Sequence, residues 1–329
     1  MITASQPSVL ITGAAGYLGQ ETLKQLAQHR GQLCRLMAMD VREVPAPKRL
    51  GEVEYITADI RTPGLDNIFK NCNIDIVVHL AAIVTPGRQS HRELEYAVDV
   101  LGTENVLQAC VAAGVRKIIV TSSGAAYGYH ADNPAWLQES DPLRGNVEFA
   151  YSHHKRLAEE MLGRYRAQHP QLQQLIFRSG TVLGKNVRNQ ITALFEKKFV
   201  LGLHGSASPF VFIWDQDVAA CLVKGIWENK TGIYNLAGDG TLSMKEIAQL
   251  LHKPYLPLPV ALLQSALWLL RKLRLSPYGP EQINFLRYRP VLANQKLKTK
   301  FGYTPQLTSK EVFEYYLSSK KWTSQIKPS

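Results

Sequence analysis

"VLITGAAGYLGQETL", Val9–Leu23, decides the fold. An apolar run ends at Gly13, and two more glycines follow at Gly16 and Gly19 before a helical pattern begins. A strand, a glycine turn and a helix in that order let the backbone approach a pyrophosphate closely. The first N–H groups of the helix then face the anion and add their dipole. Glycines spaced GxxGxxG carry little weight alone, but in this strand–turn–helix setting they predict dinucleotide binding.

The pattern continues outward from that stretch. "LCRLMAMD", "VEYITAD", "IDIVVHLAA", "RKIIVTSS" and "LQQLIFRSG" are short β-rich runs. Helical stretches such as "YLGQETLKQLAQHR" and "ELEYAVDVLGTENVLQACVAAG" separate them. Near-continuous apolar strands alternating with helices predict an α/β fold: a doubly wound parallel sheet covered on both faces. The expected division is a dinucleotide-binding Rossmann domain over 1–180, to which the chain returns at about 210–237, and a smaller, mostly helical substrate lobe over 181–329.

Composition fits a soluble globular chain of 329 residues, 45% hydrophobic and 20% charged. Cys34, Cys72, Cys110 and Cys221 lie far apart with no CxxC, which argues against a zinc ribbon or disulfide framework and suits a reducing compartment. The N-terminal "MITASQPSVLITG" has no basic segment before its apolar run, so a cytoplasmic location is expected. Net charge is +11, and residues 271–329 hold 12 Lys/Arg against 3 Asp/Glu. That asymmetry reads either as a solvated basic surface or as attraction to an anionic partner, a phosphorylated substrate or an acidic membrane.

Asp40 ends the second strand, 21 residues beyond Gly19, where a carboxylate accepts from adenosine ribose hydroxyls and repels the extra phosphate of NADP. NAD is therefore the expected cofactor, with Arg42 an adenine-side or solvent residue. Asp59 closes the third strand near the adenine, or else caps a helix. "YSHHK", Tyr151–Lys155, places a tyrosine and a lysine at i and i+4 on one helix face. An ammonium beside a phenol favours the charged oxygen and suits it to proton exchange. His153 and His154 diverge by about 100° on a helix. With no HExxH and no i, i+4 histidine pair, no metal is expected. Their expected roles are packing or solvent contact, and His79 in "HLAA" reads as structural.

Taken together, "TGAAGYLG", Asp40, "HLAA", "TSSGAAYG" and "YSHHK" resemble the extended short-chain dehydrogenase/reductase family, of the NAD-dependent epimerase/dehydratase type. The resemblance runs from about residue 8 to residue 240. It implies that Ser123 hydrogen-bonds the substrate oxygen, Tyr151 exchanges its proton and Lys155 also holds the nicotinamide ribose. It further implies that Gly13, Gly16, Tyr17, Leu18, Gly19, Asp40, Asp59, Ile60 and Ala81 join Tyr151 and Lys155 in binding NAD. The partners it implies are a small-molecule substrate and a second copy in a homodimer, with no nucleic acid. One departure is Asp99, standing where family members often carry asparagine. A carboxylate only accepts where an amide also donates, so the asparagine's role is not carried over to it.

The family's reactions narrow from there. Dehydratases place an Asp-Glu pair after the strand serine or threonine, and here Gly124 and Ala125 follow Ser123. Nucleotide-sugar epimerases typically read RxxNxYG where this chain has "RSGTVLG", and often carry an arginine where it has Pro209 and Phe210. Lys185, Arg188, Arg287 and Arg289 are the candidates to take the place of those diphosphate holders. The first reading is NAD-dependent oxidoreduction of an alcohol or ketone, resembling the steroid dehydrogenase branch, with Phe210, Phe212, Trp214 and the leucine-rich segment after Pro257 suiting an apolar pocket or else ordinary core. The alternatives are a UDP-sugar 4-epimerase and a non-catalytic NAD-binding sensor or assembly subunit.

"VALLQSALWLLRKLRL", Val260–Leu275, stands apart. It is too short and too interrupted to span a bilayer. One reading is a buried lobe helix whose last turn carries Arg271, Lys272 and Arg274 and which Pro277 stops. The other lays it on an anionic membrane as a peripheral contact.

Overall fold

The computed structural model describes residues 6–84, 91–273 and 279–320. Strands β1 (Ser8–Thr12), β2 (Arg35–Asp40), β3 (Glu54–Thr57), β4 (Ile76–His79), β5 (Lys117–Ser123) and β6 (Gln173–Ser179) alternate with helices α1 (Tyr17–Ala27), α2 (Leu65–Asn71), α3 (Arg92–Tyr96), α4 (Thr103–Ala113) and α5 (Ala150–Gln168). The remainder holds β7 (Thr181–Leu183), α6 (Gln190–Phe195), β8 (Val200–Leu203), β9 (Phe212–Trp214), α7 (Asp215–Trp227), β10 (Gly232–Leu236), α8 (Met244–Leu250), β11 (Tyr255–Leu258), α9 (Val260–Lys272), α10 (Gln282–Arg287) and α11 (Ser309–Ser319).

Seven strands form one parallel sheet in the order β10-β6-β5-β4-β1-β2-β3. The order reverses between β1 and β4, which opens a crevice at the carboxyl ends of those strands. Residues alternate between faces along each strand, and here both faces are buried. Val9 and Ile11 of β1, with Ile76 and Val78 of β4, join the core beneath α1 and α7. Leu10 and Val77 join the opposite core, with residues of α2, α4 and α5. This is the doubly wound parallel sheet, followed by a smaller, mostly helical C-terminal portion.

One detail departs from the sequence reading. Phe212–Trp214 form β9, which pairs with β7 outside the large sheet; from this stretch onward β10 returns to the sheet, beside β6. Phe212 and Trp214 belong to a separate core with Phe195, Phe313 and Tyr316.

Two polar devices hold the sheet to its helices. Arg178 on β6 meets Glu159 on α5 with both side chains buried, Nε to Oε2 at 2.9 Å and Nη2 to Oε2 at 2.8 Å. Ser122 on β5 donates to the same carboxylate at 2.5 Å, and Arg178 donates to the Tyr127 hydroxyl at 2.8 Å. His79 ends β4 fully enclosed between two threonines. Thr103 donates to the Asp99 carbonyl, so its oxygen accepts from His79 Nε2–H at 3.1 Å, and Nδ1 accepts the Thr12 hydroxyl at 2.7 Å. Burial, with the nearby Lys155, drives the His79 imidazole down to about 3.

Two outcomes follow for stability. Glu159→Leu leaves the Arg178 guanidinium buried without a counter-charge and is expected to cost about 3–5 kcal/mol, read by urea unfolding, with Arg178→Met recovering part of the loss in the double variant. For His79, the unfolded chain binds a proton below about 6.5 and the folded chain only below about 3. Stability is therefore lost as pH falls through that window. His79→Gln is expected to flatten the decline, read by unfolding at a series of pH values.

Candidate active site

The β1–α1 turn is closed by backbone contact. Gly13 sits at φ +70°, and a Cβ there would stand 2.6 Å from the Ala81 nitrogen. A Cβ on Gly19 would stand 2.4 Å from the Gly13 carbonyl oxygen. Only glycine permits both approaches. Gly16 caps α1 without any side-chain hydrogen bond, so the first N–H groups of the helix stay available to an anion. Asp40 is buried at the tip of β2. Its Oδ2 accepts from Ala15 N and its Oδ1 from Arg42 N, each at 2.9 Å, which aims the carboxylate along the cavity floor. Arg42 folds back on the same carboxylate at 3.2 Å and is itself largely exposed. Asp59 turns back to Arg61, which holds its carboxyl below the usual range by hydrogen bonding.

These residues line a cavity of about 820 Å³. It also receives Tyr17, Leu18, Ile60, Ala81, Ser123, Tyr151 and Lys155, so every residue singled out in the sequence for cofactor or chemistry reaches one space. The fit to a dinucleotide rests on the glycine cradle that a Cβ would fill and on the uncapped N-terminus of α1. NAD would lie with its pyrophosphate over Gly16–Leu18 and its adenosine ribose toward Asp40.

The residues expected to carry the chemistry lie where β5 and α5 meet. Ser123 closes β5, and its Oγ accepts from Ala125 N at 3.1 Å, leaving the hydroxyl proton free to donate. Tyr151 opens the first turn of α5, and Lys155 Nζ lies 5.6 Å from its ring centre, one turn on. Ser152, between them, donates to Ala125 O at 2.7 Å and accepts from Asn146 N at 3.0 Å, locking the helix start onto the serine turn.

The two histidines take different paths. His153 is half-buried beside Arg156. His154 is buried against Tyr96, and its Nδ1 faces Asp99 Oδ2 at 3.9 Å, each atom without a hydrogen-bond partner. Asp99 Oδ1 accepts from Ile83 N at 2.8 Å. The acceptor half of an asparagine's role is thus filled by the carboxylate, while His154 stands where a donor would answer the other oxygen. Burial raises the Asp99 carboxyl and lowers the His154 imidazole to about 4.

Two cavity residues carried no local signal in the sequence. Thr121 Oγ1 on β5 is buried with no hydrogen-bond partner among the described residues, and Asn189 joins the lining beside Arg188, itself one of the cationic candidates. Arg289 was one of four cationic candidates, and its surroundings single it out. Its guanidinium lies 3.8 Å over the Phe210 ring and 4.5 Å over the Phe285 ring, with Nε and Nη2 buried and unpartnered. Burial lowers it to about 10. The expected apolar wall is only partly there. Phe210 lines the cavity, whereas Phe212 and Trp214 pack in the separate core and no residue of α9 reaches it.

Comparison with known proteins agrees with this architecture. The model of the NAD dependent epimerase/dehydratase family matches residues 9–237. An uncharacterized Mycobacterium tuberculosis protein is 24% identical over 327 residues, covering 97% of this chain and 86% of that one. A UDP-glucose 4-epimerase of Halalkalibacterium halodurans is 34% identical over 137 residues, 41% of this chain and 40% of its own length. Among solved structures, a Thermus thermophilus UDP-glucose 4-epimerase in complex with NAD superposes at a TM-score of 0.72, with 22% identity over 97% of this chain and 100% of that one. The Bordetella bronchiseptica enzyme WbmG, in complex with NAD and UDP, does so at 0.73, with 18% identity over 97% and 96% of the two chains.

Gly19→Val drives a side chain into the Gly13 carbonyl and the Ala14 backbone. Loss of NAD binding by at least tenfold is expected in a fluorescence titration, with the far-UV circular dichroism of the sheet retained.

Proposed function

The chain belongs to the NAD dependent epimerase/dehydratase family, and from that premise we propose that it epimerises a nucleotide sugar at a secondary-alcohol carbon, as a UDP-sugar 4-epimerase does. It is an NAD-dependent enzyme, which sets aside the sensor or assembly reading. The observation that carries the proposal is Arg289. A guanidinium buried against two aromatic faces, with two nitrogens unpartnered at the cavity wall, is costly unless an anion answers it. A substrate diphosphate supplies that anion and places the sugar toward Ser123 and Tyr151. The proposal inverts the order of readings drawn from sequence, because most of the aromatic and leucine-rich residues expected to line an apolar pocket lie elsewhere.

When bound, NAD supplies the two-electron oxidation and re-reduction of the substrate carbon. Ser123 Oγ donates to the substrate oxygen and holds it beside Tyr151. Tyr151 Oη takes the proton of the substrate hydroxyl and later returns it. Lys155, one turn below, stabilises the tyrosine oxygen while it carries charge and binds the nicotinamide ribose. Asp59, Ile60 and Ala81 border the adenine and the loop after β4. A homodimer through α3–α4 and α5 completes the proposal; Leu101, 47% exposed, lies on that surface.

A second reading, oxidoreduction of an apolar secondary alcohol, is favoured by Val98, Phe285 and Pro290 along the cavity. Binding separates the two. UDP is expected to bind the wild type, and Arg289→Met to weaken it by about 2–5 kcal/mol, thirtyfold or more. Tyr151→Phe is expected to keep UDP and NAD binding and lose turnover. Indifference of the wild type to UDP, with binding of a sterol-like ketone, would establish the second reading.

A further inference from the structure

Helix α9 stands apart among the described α-helices: none of its 13 residues is buried. Its half-buried side, Val260, Leu263 and Leu267, leans on the protein. On the opposite side Leu262, Ala266, Leu269 and the C-cap Leu273 recur at i, i+4, i+7 and i+11, so they form one stripe. Leu262 is 58% exposed, Leu269 49% and Leu273 56%; Trp268, 54% exposed, lies on the flank of the helix with Lys272. The reading of this segment as buried core is thereby corrected; Arg274 and Pro277 lie outside the described residues.

We propose that α9 docks on an anionic lipid surface, lying in its plane with the Leu262–Leu269–Leu273 stripe in the acyl boundary. Charge selects this occupant. Lys272 Nζ stands 4.9 Å over the Trp268 ring, and no carboxylate pairs with it among the described residues. Arg271 flanks it, bonded to Glu281. Along the sequence, residues 271–329 hold 12 Lys/Arg against 3 Asp/Glu, with Arg271 and Lys272 among the 12. Apolar residues beside a cationic rim are what an interfacial helix presents to acidic headgroups. A second copy of the same face would set one basic region against another. Stable interfaces also take about 20–30 residues a side, and this stripe offers Leu262, Ala266, Leu269 and Leu273. A spanning role is closed as well: no described helix is long and apolar enough to cross a membrane. Helix α9 packs on α10, whose Phe285 lines the cavity, so docking would hold the substrate entrance close to the lipid. The proposal does not depend on which substrate enters.

The test is co-sedimentation of the full chain with vesicles of phosphatidylcholine plus phosphatidylglycerol, and with phosphatidylcholine alone. Binding to the anionic vesicles is expected to exceed binding to the neutral ones by on the order of tenfold and to fall with added salt. Leu262→Glu/Leu269→Glu/Leu273→Glu is expected to abolish it with the melting temperature unchanged, because these side chains are already exposed. In the wild type, tryptophan emission should shift blue on vesicle binding, and Trp268→Phe should remove the shift. Wild type left in the supernatant at low salt, or the triple variant sedimenting as before, would overturn the proposal. So would a dimer in analytical ultracentrifugation that the triple variant dissolves, which would make a second copy the occupant.

Discussion

The buried ion pair between Arg178 and Glu159 is the constraint on which the site depends. It ties β6 to α5, and Ser122 on β5 donates into the same carboxylate. Three elements therefore meet at one charge. Ser123 is the next residue along β5, and Tyr151 lies two helical turns before Glu159 on α5. The Ser123 and Tyr151 hydroxyls, to which the proposed mechanism assigns the substrate oxygen and its proton, are thus registered to each other through the pair beneath them. A buried pair of this kind adds little net stability over apolar packing, but breaking it is costly. Its contribution here is positional: it leaves α5 one seating against the sheet.

The cofactor side is built on close approach rather than charge. Gly13 and Gly19 let three backbone segments touch where a side chain would hold them apart. His79 ties the same region together from below, through Thr12 on β1 and Thr103 on α4. These contacts bring the uncapped start of α1, the tip of β2 and the end of β4 around one crevice. The strand order opens that crevice where it reverses.

The substrate side follows another logic. Arg289 lies against two aromatic faces with Nε and Nη2 buried, and neither nitrogen has a hydrogen-bond partner among the described residues. Asp99 and His154 differ in that each faces the other. The exchange of an amide for a carboxylate at residue 99 is matched by an imidazole one residue before Lys155. Helix α9 contributes nothing to the cavity lining, and its Leu262, Leu269 and Leu273 side chains are exposed.

The sequence by itself determined whatever depends on neighbours along the chain. The strand–glycine–helix order, the alternation of apolar runs and helices, the acid ending β2 and the i, i+4 spacing of Tyr151 and Lys155 are local. Periodicity and turn chemistry encode them, so the fold and a set of residues that line one cavity could be read early. Only the tertiary structure decided which apolar segments face inward and which charges are answered. Phe212 and Trp214 went to a core, α9 to the surface, and Arg289 to the cavity wall. Those outcomes depend on contacts between residues far apart in the chain, and the same leucines or arginine would read alike in any of these places. The pairing of Asp99 with His154 is of this kind too. It joins residues 55 apart, and nothing in either local pattern announces that the two side chains will meet.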